Sequence, residues 1–343
     1  MAPYDAFLLV SFGGPEGPAD VLPFLRNVTA GRAVPPERLE QVAEHYYQFG
    51  GISPINQQCR DLAAAIEKDF AATGISLPVY WGNRNWQPYL AGTLAQMAAD
   101  GVRRALAFVT SAYSSFSSCR QYLGDIEQAQ ATVGPGAPQV DKIRQFYNHP
   151  GFIEPHAAAV AQAASTLGGQ PFDLVFTAHS IPLAMSATSG PAGGAYPAQL
   201  AEAARLVAAQ LGYERPWRLA YSSRSGPPAQ PWLEPDVNDC LDELAAAGSQ
   251  AVVVSPIGFV SDHMEVRFDL DVEAARTAAA HGLAFARAAT PGTDPRFVSM
   301  ITDLVLERTT GAPAAVLGAL GAGPDACPAG CCGAGMSRPA GSR

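Results

Sequence analysis

The sequence has no long hydrophobic run and no excess of positive charge. Near its start, the longest apolar run, residues 7–10, is far shorter than the roughly 20 residues that cross a bilayer, and it follows Asp5 rather than a basic segment. We therefore expect no signal peptide, no transmembrane segment and a cytoplasmic location. The 31 acidic residues outnumber the 22 basic ones, which gives a net charge of −9. Because a nucleic-acid binder needs a basic face to neutralise phosphates, this composition argues against nucleic acid as a partner.

Length and cysteine content narrow the class of protein further. A chain of 343 residues, 48% of them hydrophobic, is long enough for two domains with cores of their own. No secretory signal accompanies the six cysteines. We therefore expect reduced thiols or metal ligands rather than disulfides.

Short apolar runs alternate with alanine-rich stretches along most of the chain, and this alternation is typical of a parallel α/β sheet. The runs cover residues 6–11, 78–81, 105–110, 173–177, 218–221 and 251–255. Both halves of the chain repeat one scheme of strands that end in small-residue turns. The repeat predicts two similar Rossmann-like lobes with parallel sheets and a cleft between them. The alternative is that such strand–turn units are a common feature of α/β folds and do not indicate a repeated lobe.

The composition of the connecting segments suggests where each part of the chain lies. We place the N-terminal lobe at residues 1–165, with a lip over the cleft at about 21–54, where aromatic residues occur without a strand pattern. The C-terminal lobe is predicted at 166–310. Residues 311–343 form a tail that is rich in glycine, alanine and proline and nevertheless holds three closely spaced cysteines.

A row of carboxylates at helical spacing stands out late in the chain. Glu265, Asp269 and Glu273 recur at every fourth position, which places them on one face of a helix. Ser261 or Asp262 is the expected N-cap of that helix. Such a row is either a solvated acidic face or a ladder of oxygen ligands for a divalent cation.

His179 changes the weighting between these two interpretations. It ends the apolar run 174–178 and precedes Ile181 and Pro182, so its imidazole is expected to point into the cleft rather than into the core. A histidine there that faces Glu265 makes a mixed nitrogen and oxygen site, able to bind a metal and accept protons near neutral pH. The alternative is a hydrogen-bonded structural histidine.

Together with this pair, several stretches resemble the ferrochelatases, enzymes that insert ferrous iron into a porphyrin in haem synthesis. The matching stretches are residues 8–15, 50–54, 176–182, 221–235 and 256–273. The resemblance implies a chelatase-like fold with the porphyrin in the cleft. We also expect a monomer with transient contacts to neighbouring haem-pathway enzymes.

The likeness is to the bacterial, coproporphyrin-using branch of the family. It implies insertion of Fe²⁺ into coproporphyrin III to give coproheme. The enzymatic alternatives are a protoporphyrin IX ferrochelatase and a cobalt chelatase of corrinoid synthesis. An alternative of a different class is a two-lobed haem- or metal-binding protein without turnover.

The resemblance also assigns roles to the residues of the cleft. By motif match, His179 and Glu265 are the catalytic pair at the metallation site, where they bind the metal and accept the pyrrole protons. Asp269 and Glu273 are the outer metal-binding residues, on the path along which the metal enters.

Four further positions match stretches that contact the porphyrin in the family. Phe12 stands where some relatives carry a tyrosine, so we expect it to pack against the ring. Arg32, Ser53 and Tyr122 are expected to bind the propionates, for which arginine is well suited. His45 stands where some relatives have another arginine, and this departure bears on the propionate contacts.

Four of the six cysteines form the other candidate site. They are Cys119, Cys327, Cys331 and Cys332. Four thiolates suit either a 2Fe-2S centre or tetrahedral zinc. The resemblance favours a 2Fe-2S cluster, because several ferrochelatases carry one with one internal and three C-terminal cysteines. The alternative is a tail with free thiols.

Overall fold

Two parallel β-sheets form the framework of the protein. The computed structural model describes residues 4–31, 34–226, 229–328 and 330–333. The strands in chain order are β1 (Ala6–Ser11), β2 (Val79–Asn83), β3 (Arg104–Val109), β4 (Gln139–Lys142), β5 (Asp173–His179), β6 (Trp217–Ser222), β7 (Ala251–Ser255) and β8 (Ala284–Arg287). One sheet has the order β2-β1-β3-β4 and the other the order β6-β5-β7-β8. Neighbouring strands in both sheets are parallel.

The predicted α/β class is confirmed, and each of the six predicted strands is present. Strands β1 and β7 are buried along their whole length. Parallel sheets carry helices on both faces, which is why such strands appear in the sequence as unbroken apolar runs. The unpredicted strands β4 and β8 are four residues long and lie at sheet edges. Since β4 has the sequence Gln-Val-Asp-Lys, it offers no apolar run to detect.

Helices connect the strands and cover the sheets. In chain order they are α1 (Pro18–Val28), α2 (Pro36–Tyr47), α3 (Ile55–Thr73), α4 (Leu90–Ala99), α5 (Gln121–Val133), α6 (Pro150–Ser165), α7 (Leu183–Ala187), α8 (Ala195–Gln210), α9 (Val237–Ala246), α10 (Met264–Phe268), α11 (Ala275–Ala280) and α12 (Pro295–Thr310). Two π-helical segments, Phe116–Arg120 and Asp269–Ala274, lead into α5 and join α10 to α11. Among the described residues, no helix combines the length and the apolar character that a membrane crossing requires.

Helix α12 ties the end of the chain's second half to the first half. It packs against α3 and α6. Its residue Phe297 lies with its ring centroid 6.2 Å from that of Phe108 and 6.1 Å from that of Phe146. These rings belong to a buried cluster that also includes residues of β5 and β7. The division of the lobes at residue 165, where α6 ends, remains a prediction.

Helices α1 and α2, which we call the lip helices, form a small layer of their own beside the carboxyl end of β1. Phe24 of α1 is the centre of this layer. Its ring meets those of Phe12, Tyr46 and Trp86 edge-on, at centroid distances of 6.2, 5.9 and 6.2 Å. The lip helices therefore bring Tyr46 close to the turn that carries Phe12.

Candidate metal centre

His179 and Glu265 form an ion pair at the carboxyl end of the second sheet. His179 is the last residue of β5, and Glu265 lies in the first turn of α10. The imidazole Nε2 is 3.4 Å from the carboxylate Oε1. Because the strands of a parallel sheet end at one edge, the loop after β7 delivers Glu265 to the end of β5.

Two backbone contacts fix the orientation of His179. Its Nδ1 lies 2.5 Å from the carbonyl oxygen of Ser180, and its own carbonyl accepts a hydrogen bond from the Tyr196 hydroxyl at 2.8 Å. Since a carbonyl oxygen can only accept, Nδ1 carries the proton in that contact. The nitrogen that faces Glu265 is therefore Nε2, the one available to a metal or a substrate proton.

The expected N-cap of the metal-site helix is wrong. Neither Ser261 nor Asp262 caps α10; the cap is His263, whose Nδ1 accepts the backbone N–H of Glu265 at 3.2 Å. Asp262 instead forms an ion pair with Arg287 at 3.1 Å. Asp262 is therefore engaged by the partly exposed Arg287 of β8 instead of filling the capping role that sequence spacing suggested.

The predicted carboxylate row continues from Glu265 into the π-helical segment. Asp269 begins that segment and accepts a hydrogen bond from the hydroxyl of Ser223, a residue with a positive φ of 64° after β6. Burial raises the pKa of Asp269 to about 7, and the charges of Glu265 and Glu273 add to the effect. Burial also raises the pKa of Glu273. A cation near these carboxylates would relieve that repulsion.

The His179–Glu265 pair stabilises the charged form of both groups. Burial lowers the pKa of His179, but attraction to Glu265 and the hydrogen bond between them outweigh it and raise the pKa to about 9. Burial likewise raises the pKa of Glu265, and the charge of His179 overrides it and lowers the pKa to about 2. At neutral pH the pair is therefore an imidazolium beside a carboxylate.

The second lip helix and the turn after it contact the metal-site helix directly. His45 of α2 stacks on Phe268 of α10, with a centroid distance of 3.7 Å and an interplanar angle of 9°. The guanidinium of Arg267 lies 5.6 Å from the ring centre of Phe49. The partly buried Tyr46 has its pKa raised by burial and by the charges of Glu265 and Asp269. The second lip helix and the turn after it therefore lie against α10, the helix that carries Glu265.

Two of the predicted porphyrin contacts meet around an arginine that we did not predict. The Arg84 guanidinium lies 5.5 Å from the ring centre of Phe12 and 4.4 Å from that of Tyr122. It also pairs with Asp125. Arg84 follows β2, and its place after the strand of a parallel sheet was the only signal in the sequence.

The other two predicted porphyrin contacts are Ser53, which is buried near the end of β1, and Arg32. Ser53 is 4% exposed, and its N–H donates to the carbonyl of Pro15 at 2.9 Å. A Cβ on Gly14 would lie 2.7 Å from the Ser53 Cβ, so the close approach of these two turns requires glycine there. Arg32 lies outside the described residues.

The four candidate cysteines converge at the start of α5. The sulfur of Cys119 is 3.9 Å from that of Cys327, and the sulfur of Cys331 is 3.7 Å from that of Cys332. The Cys119 thiol also interacts with Cys332, and Cys327 with Cys331. The other two cysteines, Cys59 and Cys240, are buried in α3 and α9, as their helical patterns predicted.

Sulfur spacing provides a test of whether these cysteines fit a metal group. Tetrahedral ligands at the usual metal–sulfur distance of about 2.3 Å lie about 3.8 Å apart. The two measured pairs, at 3.9 and 3.7 Å, match that edge. Among the residues that the structure describes, no three histidine, cysteine or carboxylate side chains are yet arranged as a complete metal site. The two sulfur pairs therefore fit the ligand spacing of a metal group.

Two four-stranded parallel sheets, with a histidine and a carboxylate paired at the carboxyl end of one of them, match the arrangement of a two-lobed metal chelatase. Residues 4–309 match the ferrochelatase family. The chain belongs to that family and is a metal chelatase that acts on porphyrin and iron.

Curated relatives match nearly the whole chain. The coproporphyrin III ferrochelatase of Streptomyces coelicolor is 52% identical over 360 residues, covering 99% of this chain and 96% of the relative. That of Frankia alni is 56% identical over 338 residues, covering 96% of this chain and 86% of the relative. The solved structure of SirB from Bacillus subtilis with Fe³⁺ has a TM-score of 0.52 at 12% identity, covering 90% of this chain and 97% of that one. At that identity, the likeness to SirB concerns the fold alone.

Proposed function

We propose that this chain inserts Fe²⁺ into coproporphyrin III, with His179 and Glu265 as the catalytic pair. The observation that carries the proposal is the 3.4 Å contact between the two side chains at the end of β5. Relatives that match at 52% and 56% identity and are named coproporphyrin III ferrochelatase support the choice of porphyrin.

The incoming metal ion has to replace the proton that His179 holds beside Glu265. The pKa of His179 is raised to about 9, so its imidazole is protonated before the metal arrives. A divalent cation beside Glu265 satisfies the carboxylate and expels that proton, because a metal ligand must be deprotonated. When the ion passes from the pair into the ring, Nε2 and the carboxylate become free to take up the two leaving pyrrole protons in turn and pass them on to solvent.

The remaining carboxylates supply a route to that pair. Asp269 and Glu273 continue from Glu265 along the π-helical segment, and burial with like-charge repulsion raises the pKa of Asp269 to about 7. We propose that both residues bind the incoming ion in turn. π-helical turns inside α-helices are frequent at functional sites, because they re-aim side chains without breaking the helix.

The porphyrin itself needs apolar faces and donors for its acidic side chains. We propose that Phe12 packs against the ring and that Ser53, Tyr122 and Arg32 bind propionates. Arg84, which lies against the rings of both Phe12 and Tyr122, adds a positive charge beside them. Holding the ring bent would expose the nitrogen lone pairs to the metal, which favours the transition state over the flat substrate.

We also propose that Cys119, Cys327, Cys331 and Cys332 hold a 2Fe-2S cluster. The sulfur pairs at 3.9 and 3.7 Å and the family resemblance support it. Zinc takes the same donors, so anaerobic purification must be followed by iron, zinc and labile-sulfide analysis and a visible spectrum. A 2Fe-2S centre predicts equal iron and sulfide with a visible absorption band. Stoichiometric zinc, or neither metal after reconstitution, would contradict it.

A further part of the proposal concerns the location, the oligomeric state and the domain bounds of the protein. We propose a cytoplasmic monomer that makes transient contacts with neighbouring enzymes of haem synthesis. Its lobes would divide at residue 165, with the cysteine-containing tail beginning at 311. Size-exclusion chromatography with light scattering tests the monomer, since a stable dimer would give twice the 35.8 kDa mass.

The choice of substrate is tested by anaerobic metallation, in which kcat/KM is compared between coproporphyrin III and protoporphyrin IX. Purified protein is mixed with Fe²⁺ and either coproporphyrin III or protoporphyrin IX, and loss of the free porphyrin spectrum is followed. We expect the larger kcat/KM for coproporphyrin III. A larger value for protoporphyrin IX, or turnover only with Co²⁺ and a corrinoid precursor, would contradict the proposed substrate.

A further inference from the structure

The cysteine site has a buried amide beside one of its sulfurs. Gln145 lies in the loop between β4 and α6, is 4% exposed, and places its Nε2 2.8 Å from the sulfur of Cys119. On its other side the tail approaches closely, since a Cβ at Gly323 would lie 3.0 Å from the Gln145 Oε1. The amide is therefore held between Cys119 and the tail.

Two other groups near the sulfurs also favour negative charge on them. The backbone N–H of Gly190 donates to the sulfur of Cys332 at 3.1 Å. The ammonium of Lys142 lies close enough to act electrostatically on the thiols of Cys119 and Cys327, and its charge alone would lower the pKa of each. The sulfurs thus lie among hydrogen-bond donors and a cation.

Such surroundings matter for a centre that changes its charge. A thiolate sulfur can only accept hydrogen bonds, so the Gln145 amide must turn its N–H toward Cys119 once a metal group is bound. Adding one electron to a 2Fe-2S centre makes it one unit more negative. Donors to the sulfurs stabilise the reduced form more than the oxidised form and raise the reduction potential. Burial strengthens the effect, because water does not compete for the amide.

We propose that Gln145 is a positioning residue of the cysteine site, which donates a hydrogen bond to Cys119 and keeps the bound cluster reducible. This inference rests on the 2Fe-2S cluster proposed above. None of the residues involved belongs to the porphyrin cleft, so the prediction concerns the potential of the cluster and not the rate of metallation.

The test is a redox titration of the loaded protein, followed by visible absorption and by the electron paramagnetic resonance signal of the reduced form. Dithionite supplies the single electron that converts one ferric ion of the cluster to ferrous. Gln145→Leu removes the donor at similar size. We expect the equilibrium constant for reduction to fall about tenfold, which is about 59 mV for one electron.

A second variant and a matched control make the result interpretable. Gln145→Glu keeps the shape and replaces the donor with an acidic group, so its potential should fall at least as far. Gln199→Leu is the control, because Gln199 bonds to Ser114, in the turn ahead of Cys119, rather than to a sulfur. It should keep the wild-type potential. Circular dichroism establishes that each variant is folded.

The outcomes separate the two proposals. A wild-type protein that holds no cluster after reconstitution overturns the cluster and the role of Gln145 together. A loaded wild type whose potential is unchanged in both Gln145 variants overturns only the role of Gln145. A shift of the same size in Gln199→Leu would show a general effect of the turn and would likewise overturn it.

Discussion

The charge state of the metal-site pair is open to direct measurement in the Glu265→Gln variant. Glutamine keeps the size of the side chain and removes its charge. In the wild type, burial lowers the pKa of His179, and attraction to Glu265 reverses this and raises it to about 9. In the variant, burial acts against the hydrogen bond to the Ser180 carbonyl and the weaker attraction of Asp269. The pKa of His179 should then fall below the ordinary value of about 6.5.

The solvent exposure of the two side chains limits how far the pKa of His179 is expected to fall in the variant. The side chains of His179 and Glu265 are 33% and 44% exposed, so water screens part of their attraction. We therefore take a fall of about one pKa unit as the smallest result that supports the reasoning. Below its raised pKa the wild-type His179 is charged, so metal binding at neutral pH must release a proton and must weaken as the pH falls.

The assay is a titration of the imidazole protons by NMR in the absence of metal. The protein has six histidines, and His179→Ala identifies the resonance to follow. Glu273→Gln is the matched control, since it removes the far end of the carboxylate row and should leave the pKa of His179 in place. A wild-type His179 that titrates near 6.5, or one that Glu265→Gln does not move, would refute the reasoning.

Three further predictions concern stability and pH. Burial with no hydrogen-bond partner among the described residues lowers the pKa of His156 to about 3, so the unfolded state takes up the proton first as pH falls. About 2 kcal/mol of stability should be lost between pH 8 and 5, and urea unfolding of His156→Leu should lack that loss. Arg144→Met breaks a buried pair with Glu307 and should lower the free energy of unfolding by about 3–5 kcal/mol. Ser223→Ala removes a hydrogen bond that lowers the pKa of Asp269, so the acid limb of the metallation pH profile should move to higher pH.

The sequence was informative where the fold itself dictates proximity. Apolar runs predicted the six longer strands, because buried parallel strands have little polar content. The carboxyl ends of parallel strands meet at one edge of the sheet. A residue at the end of β5 and a helix that follows β7 are therefore expected on the same side of the protein, which is where His179 and Glu265 lie. Helical spacing put Glu265, Asp269 and Glu273 on one row, and the structure keeps them in sequence on consecutive turns.

The features that could not be predicted depend on contacts between distant parts of the chain. The N-cap is His263, while Asp262 pairs with Arg287 at the end of β8, a four-residue edge strand that we did not predict. Arg84 becomes notable only when β2 brings it between Phe12 and Tyr122. Sequence spacing carries no information about such partners.

Anaerobic metallation of coproporphyrin III by the wild type and by His179→Ala is the most direct test of the proposed catalytic pair. His281→Ala provides a control, because His281 is an exposed histidine paired with Asp242 on another surface. The single-turnover rate of ferrous iron insertion should fall at least about a hundredfold in His179→Ala, the usual loss when a general base is removed. It should stay unchanged in His281→Ala. A His179→Ala protein that metallates the porphyrin at the wild-type rate would contradict the assignment of His179 and Glu265.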